Sequence, residues 1–410
     1  MQTVIPQFKI QNISILDVCK EYGTPLYVYD GDKIISQYTK LRDAFSGVNI
    51  KIKYAAKALT NQAILKLLCK AGSGIDVVSI QELQLGIKAG FLPKDIMYTP
   101  NCVSFEEMRE AISLGVTMNI DNIPFLEKFG NEYGSSYPIC LRINPHINAG
   151  GNVKIMTGHK GSKFGISVDQ LDEMYDVISK YQINIVGVHV HSGSDFKDAD
   201  AFIKAAEVLF GIAKNFPALK FLDFGSGFKV SYKEGDYTTN IPELGTKLST
   251  RFSSFCKEYG RDLELWFEPG KFLVSEAGLL VVKTNVVKPT PHCNFVGVDS
   301  GLNHLIRPMM YGAYHSIENI SNPEGDLKEY TVVGYICETD TFASDIQLAE
   351  VHEGDLLAIK NAGAYGFSMS SNYNSRPRPA EVLIYKGEAK LIRKRENVDD
   401  LLRNQVEIDL

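Results

Sequence analysis

Short apolar, β-branched or aromatic runs recur eight times between about residue 48 and residue 275, and this alternation most constrains what the chain can fold into. The runs are "IKIKYAAK", "GIDVVS", "IMYTPN", "TMNID", "ICLRIN", "IVGVHVH", "FLDFGSG" and "ELWFEPG". Between most of them lie segments with apolar residues at helical spacing, such as "NQAILKLLCKAG", "SIQELQLGIKAG", "SFEEMREAISLG" and "SVDQLDEMYDVISKY", several of them closed by glycine. A strand-then-helix unit repeated eight times over this length predicts a (β/α)8 TIM-type barrel, with an open doubly wound sheet as the alternative. A barrel gathers its strand ends although they are far apart in sequence. Those ends carry Lys57, Asp76, Asn101, Asp121, Asn144 with His146, His191, Gly225 to Gly227, and Glu268. Polar residues also end strands for no chemical reason, so each of these weighs little alone.

After residue 275 the texture changes to strand-like runs without long helices: "LLVVKTNVVKP", "NFVGVDSG", "EYTVVGYIC", "DLLAIKNAG" and "AEVLIYKGEAKLI". A barrel over 31–275 and a second, mostly antiparallel β domain over 276–410 are expected, with residues 1–30 contributing a strand ("TPLYVYD") to the second. The formal charge of −6 over 410 residues, with scattered basic residues, gives no footprint for nucleic acid or an anionic membrane. No apolar run approaches the roughly 20 residues that cross a bilayer, and "MQTVIPQFKI" lacks a signal peptide's basic start and apolar core, so a cytoplasmic location is expected. Seven cysteines without a C-x-x-C pair argue against a zinc site or a disulfide framework; most are expected to be buried small hydrophobes.

Some residues suggest chemistry directly. Lys57, flanked by small apolar residues in "YAAKAL", is expected to be desolvated, which lowers an amine's pKa and frees it for Schiff-base formation; a solvated lysine opening a helix competes with this reading. "DFGSGF" offers backbone N–H groups that can approach a phosphate closely. His189 and His191, two apart on one strand, suit a metal, a satisfied core contact or a stack on a flat ring; no carboxylate-rich partner motif favours metal.

Over nearly its whole length the chain resembles the fold-type III pyridoxal-phosphate (PLP) decarboxylases. The resemblance rests on "YAAKA", "DVVSIQEL", "LRINP", "KFGI", "HVHSGS", "LDFGSGF" and "EPGKF", and most specifically on "VDSGLNHLIRPMMYGAYH", "ICET" and "GAYGFSMSSNYNSRPRPAEVL". The last stretches are similar to the branch that acts on diaminopimelate. The resemblance implies that Lys57 holds PLP covalently, His191 stacks on its ring, and Glu268 hydrogen bonds the ring nitrogen. It places Ser194, Gly227 and Gly270 around the phosphate, and Tyr365 near phosphate and substrate. Arg307 and Tyr311 match residues that hold a distal carboxylate, Glu338 matches the acid that reads a distal ammonium, and Cys337 matches the proton donor, supplied in this family by the neighbouring subunit of a homodimer. A surface ion pair for Arg307 and Glu338, and a buried core thiol for Cys337, are the plain alternatives. Two positions depart from the family pattern: Lys271 stands where the family carries an Arg that contacts substrate carboxylate or phosphate, and "CETDTF" puts Thr341 where an Asp is usual, with Asp340 one residue earlier.

The implied reaction is decarboxylation of meso-2,6-diaminopimelate at its D centre to L-lysine and CO2, the last step of lysine synthesis. The rivals are a decarboxylase of ornithine, arginine or carboxynorspermidine, a racemase on the same fold, and a PLP-family regulator that no longer catalyses. Retention of Lys57, His191, Glu268 and Cys337 together argues against the regulator.

Overall fold

The structure, a computed structural model, describes residues 8–146, 158–191, 193, 195, 196 and 198–410. Eight strands, β1 (Ile50–Ala55), β2 (Gly74–Val77), β3 (Ile96–Tyr98), β4 (Thr117–Ile120), β5 (Ile139–Asn144), β6 (Ile185–Val190), β7 (Phe221–Asp223) and β8 (Glu264–Phe267), pair in parallel in chain order. β8 returns to β1, with Leu265 opposite Ile50 and Phe267 opposite Ile52. The circuit closes, so the expected barrel is what forms and the open sheet is excluded. A sheet covered on both sides reads as a continuous apolar run, and β5 and β6 are buried at every residue.

The helices begin where their caps predict. Asn61, Ser79, Ser104 and Asn122 each turn a side-chain oxygen onto a first-turn N–H, starting Gln62–Lys70, Ile80–Ala89, Phe105–Ser113 and Ile123–Tyr133. Their apolar faces carry the buried residues; Ile64, Leu65, Leu67 and Leu68 are those of the first. Inside the barrel Phe221 and Trp266 stack with centroids 3.5 Å apart, among Met97, Cys140 and Val186.

The chain divides into two compact units, Ile35–Ser231 with Tyr237–Leu273, which holds the barrel, and Met1–Ile34 with Tyr232–Asp236 and Val274–Leu410. The second unit carries a mostly antiparallel sheet in the order Thr341–Ala349, Leu327–Val333, Asn294–Val298, Gly278–Pro289, Leu26–Asp30, Ala380–Tyr385 and Glu388–Arg393. Leu26–Asp30 is central, antiparallel to Gly278–Pro289 and parallel to Ala380–Tyr385. The run "AEVLIYKGEAKLI" is not one strand but a hairpin, because Lys386 and Gly387 both take positive φ (53° and 74°), as a two-residue hairpin turn requires. Thr341–Ala349 is a strand that sequence reading missed: it lies at the sheet's edge, with few buried residues and no clean apolar alternation. Buried thiols are also fewer than expected. Cys19, Cys140 and Cys256 are buried, Cys69 and Cys293 partly so, and Cys102 and Cys337 are exposed.

Candidate functional site: a buried carboxylate at the barrel's strand ends

β8 ends in Glu268, which is 7% exposed. Its Oε2 lies 3.2 Å from Nε2 of His189, a β6 residue that is itself buried. The amide of Asn119 stands 2.9 Å from His189 Nδ1, so that nitrogen accepts and Nε2, which faces Glu268, carries the ring hydrogen. Burial pushes the His189 imidazole down, consistent with a neutral ring donating to a carboxylate. Glu268 Oε1 is buried and has no hydrogen-bond partner among the described residues.

Two further carboxyls share this interior. Burial, reinforced by the Glu268 charge, pushes Asp76 and Asp223 well above the usual carboxylate range. Glu268 moves the other way. Burial would raise it, but the His189 contact and the nearby Lys57 ammonium hold it below the usual carboxylate range, at about 2. Of three neighbouring acids, the strand-end glutamate therefore keeps the negative charge. His189, Asp223 and Glu268 offer ligand atoms within 4.8 Å of one another, a spacing that would admit a metal ion. The donated hydrogen on Nε2 and the raised Asp223 carboxyl favour a hydrogen-bonded network instead.

The glycine turn after β7 fits against the same strand end. The Gly225 N–H donates to Asp223 Oδ1 (2.9 Å), the Glu268 N–H donates to the Gly225 carbonyl (2.6 Å), and the Ser226 N–H donates to Nδ1 of His191 (3.2 Å). Gly225 and Gly227 have φ of +61° and +114°, and a Cβ at Gly225 would run into the His191 ring. His191 is half-buried just past β6, fixed by this turn; burial, then the Lys57 charge, pushes its imidazole well down.

Lys57 follows β1 within a short 3₁₀ turn, Ala56–Ala58. Its flanks Ala55, Ala56, Ala58 and Leu59 are buried, but Lys57 itself is exposed. The expected desolvation is thus corrected: the small flanking residues are buried while Lys57 itself stays exposed. The ammonium still acts on the site, lowering both Asp76 and Glu268. Gly270 is buried ahead of the short helix Lys271–Val274. Lys271 Nζ is 2.5 Å from Asp195 Oδ1, both side chains largely buried, so its charge is answered within the barrel unit. Ser194 lies outside the described residues.

In the second unit, Arg307 opens the short helix Arg307–Tyr311, with its guanidinium 5.7, 5.9 and 5.8 Å from the rings of Tyr232, Tyr311 and Tyr365. Its Nε is buried without a hydrogen-bond partner, and no ion pair involves it among the described residues. The surface ion pair is therefore not what forms. Tyr365 holds φ of 57°, a strained setting for a bulky residue. Cys337 is exposed, so the core-thiol alternative fails too. Asp340 is buried, taking the N–H groups of Leu302 (2.6 Å) and Ile336 (2.9 Å), and burial raises its carboxyl. It braces the loop that carries Cys337 and Glu338.

A pyridoxal group fits the barrel residues. Glu268 presents a buried, ionised, unpartnered oxygen of the kind a protonated ring nitrogen requires, beside a glycine turn that no side chain could follow. The profile of the pyridoxal-dependent decarboxylases' pyridoxal-binding domain matches residues 31–275, which defines the class. The chain is 40% identical to a diaminopimelate decarboxylase of Methanothermobacter thermautotrophicus, over 95% of this chain and 93% of the relative. The diaminopimelate decarboxylase of Helicobacter pylori, solved with L-lysine, superposes with a TM-score of 0.88 at 35% identity, covering 95% of this chain and 98% of that one. That of M. jannaschii, also with L-lysine, gives 0.89 at 32% identity over 98% and 96%. The chain belongs to the diaminopimelate decarboxylase family. No helix among the described residues is long and apolar enough to cross a membrane.

Sequence reading left His189 with three possible roles and did not single out Asp223. The available signal was position: both lie within barrel strands next to residues already collected at the strand ends, where an inward-facing polar side chain must find a partner.

Proposed function

We propose that this chain catalyses PLP-dependent decarboxylation of meso-2,6-diaminopimelate at its D centre, giving L-lysine and CO2 as the last step of lysine synthesis. Family membership supports the reaction. The observation that carries the substrate is Arg307: a guanidinium among three tyrosine rings, paired with no acid among the described residues, suits a distal carboxylate that ornithine and lysine lack.

PLP, when bound, supplies a protonated ring that accepts the electron pair left as CO2 departs. Lys57 supplies the amine that holds it, His191 the face for its ring, and Ser194, Gly227 and Gly270 the surroundings of its phosphate. Glu268, with its unpartnered Oε1, would accept the ring N–H, while His189 beside Oε2 would keep the carboxylate in place. Arg307 and Tyr311 hold the distal carboxylate, Glu338 the distal ammonium, and Tyr365 the region between substrate and phosphate. Lys271, engaged by Asp195, adds a charge-balanced contact rather than an open cationic fork. Cys337 delivers a proton to Cα; its exposed loop is compatible with entry into the site of a neighbouring subunit, in a cytoplasmic homodimer.

Incubating the purified chain with PLP and meso-diaminopimelate should release CO2. Lys57→Ala should abolish release and the absorbance of bound PLP together. Bound PLP with no release from any diamino acid would favour the non-catalytic regulator.

A further inference from the structure

Cys337 and Glu338 do not stand alone in their loop. The side-chain amide of Asn374 meets the thiol through both ends, with Nδ2 3.3 Å and Oδ1 3.5 Å from Cys337 Sγ. The neighbouring Tyr373 gives its hydroxyl hydrogen to Glu338 Oε1 at 2.5 Å. Tyr373 Oη and Glu338 Oε2 are 3.9 and 4.0 Å from the sulfur. Tyr373 lies 36 positions along the chain from Cys337, so this is a contact between two loops of one unit.

A thiol that delivers a proton passes from S–H to S⁻ and back. A primary amide touching it through both ends serves either state without moving, since Oδ1 accepts from the S–H and Nδ2 donates to the thiolate. The adjacent Glu338 creates the opposite need, because a second negative charge beside the thiolate raises the cost of forming it. The Tyr373 hydroxyl holds that carboxylate by its far oxygen. The hydrogen bond to Glu338, then the contact with Cys337, push the Tyr373 phenol up, so it stays a donor.

We propose that Asn374 and Tyr373 are positioning residues for the reaction: Asn374 holds the Cys337 thiol through its loss and recovery of a proton, and Tyr373 holds Glu338 for the substrate's distal ammonium. The proposal rests on Cys337 being the proton donor. A rival explanation for Asn374 is conformational, since it sits at φ 56°, ψ 27°, where asparagine is tolerated better than most residues.

Glycine separates the two explanations, because it accepts that backbone and has no amide. The full-length protein loaded with PLP is alkylated with iodoacetamide at neutral pH, and modification is followed by mass spectrometry of the Cys337 peptide. Loss of a hydrogen bond to a charged group predicts that Asn374→Gly slows this alkylation about tenfold. Asn374→Asp, which sets a carboxylate against the sulfur, should slow it further. In both variants kcat for diaminopimelate should fall with KM unchanged, whereas Tyr373→Phe should raise KM and leave kcat close to wild type. Alkylation of Asn374→Gly at the wild-type rate overturns the proposal while leaving Cys337's assignment intact. Full turnover by Cys337→Ala overturns the assignment and the proposal with it.

Discussion

Glu268 is 7% exposed at the end of a barrel strand, whereas Cys337 stands in solvent on a loop of the second unit. The barrel positions its acid by enclosure. His189 holds one oxygen, the surrounding charges settle which of three carboxyls is ionised, and the glycine turn is hydrogen-bonded to the same strand end. The second unit positions its thiol by contacts between loops, with Asp340 bracing one through the Leu302 and Ile336 N–H groups and Asn374 touching it from another. Enclosure suits a group whose charge must persist through a cycle. A loop suits a group that gives up a proton and must recover it.

The largest effect that would break this comparison lies at the enclosed acid. Glu268→Gln keeps the shape but removes the charge, and should lower kcat by about a hundredfold, the scale on which a single aimed electrostatic group acts. Steady-state rates at saturating substrate measure it, and a kcat near wild type would mean that the buried charge is not used. Next comes the guanidinium. Arg307→Ala should reduce kcat/KM for diaminopimelate by about a hundredfold, corresponding to about 3 kcal/mol for one partner of a desolvated charge pair, and should matter far less for ornithine.

The two units should also part company in acid. His304 and His315, buried in the second unit, are pushed down by burial to about 4. In the unfolded chain they take protons from the ordinary 6.5 downward, so the unfolded state binds more protons between 6.5 and 4, and stability present above that window is lost as pH falls through it. Each group accounts for about 3 kcal/mol at most. In the barrel, His189 and His191 are also pushed down and lose their contribution as pH falls below 6.5, but Asp76 and Asp223, whose folded values are raised, favour the folded state as pH falls and offset them, and Glu268 gives up its contribution only from 4.5 toward about 2. Hydrogen exchange between pH 7 and pH 4.5 should show the second unit losing protection first. Equal loss in both units would remove this distinction.

The smallest expected effect is the sharpest control on the first. Asp223→Asn replaces a carboxyl already held neutral, so kcat should stay within about threefold of wild type. A loss comparable to that of Glu268→Gln would place the working charge on the wrong acid.

The barrel was legible because buried parallel strands write themselves as uninterrupted apolar runs, and its site because those runs stop at Lys57, His191 and Glu268. The exposure of Lys57 was not legible, since small apolar neighbours report on the backbone and not on where a long side chain ends. Nor was the role of His189, which depends on Asn119 and Glu268 arriving from two other strands. The edge strand Thr341–Ala349 escaped because an exposed edge need not alternate, and the Asn374 contact because nothing local in "SSNYNS" points to a cysteine 37 residues away. The departure at Lys271 could be read from sequence, but not the acid that answers it.

The most direct test of the account is CO2 release by the purified chain with PLP, offered meso-diaminopimelate, ornithine, arginine and lysine in parallel, with the chirality of the product determined. Release from meso-diaminopimelate should stand far above the other three, with L-lysine as product. Faster release from ornithine or arginine, or D-lysine from diaminopimelate, would contradict it.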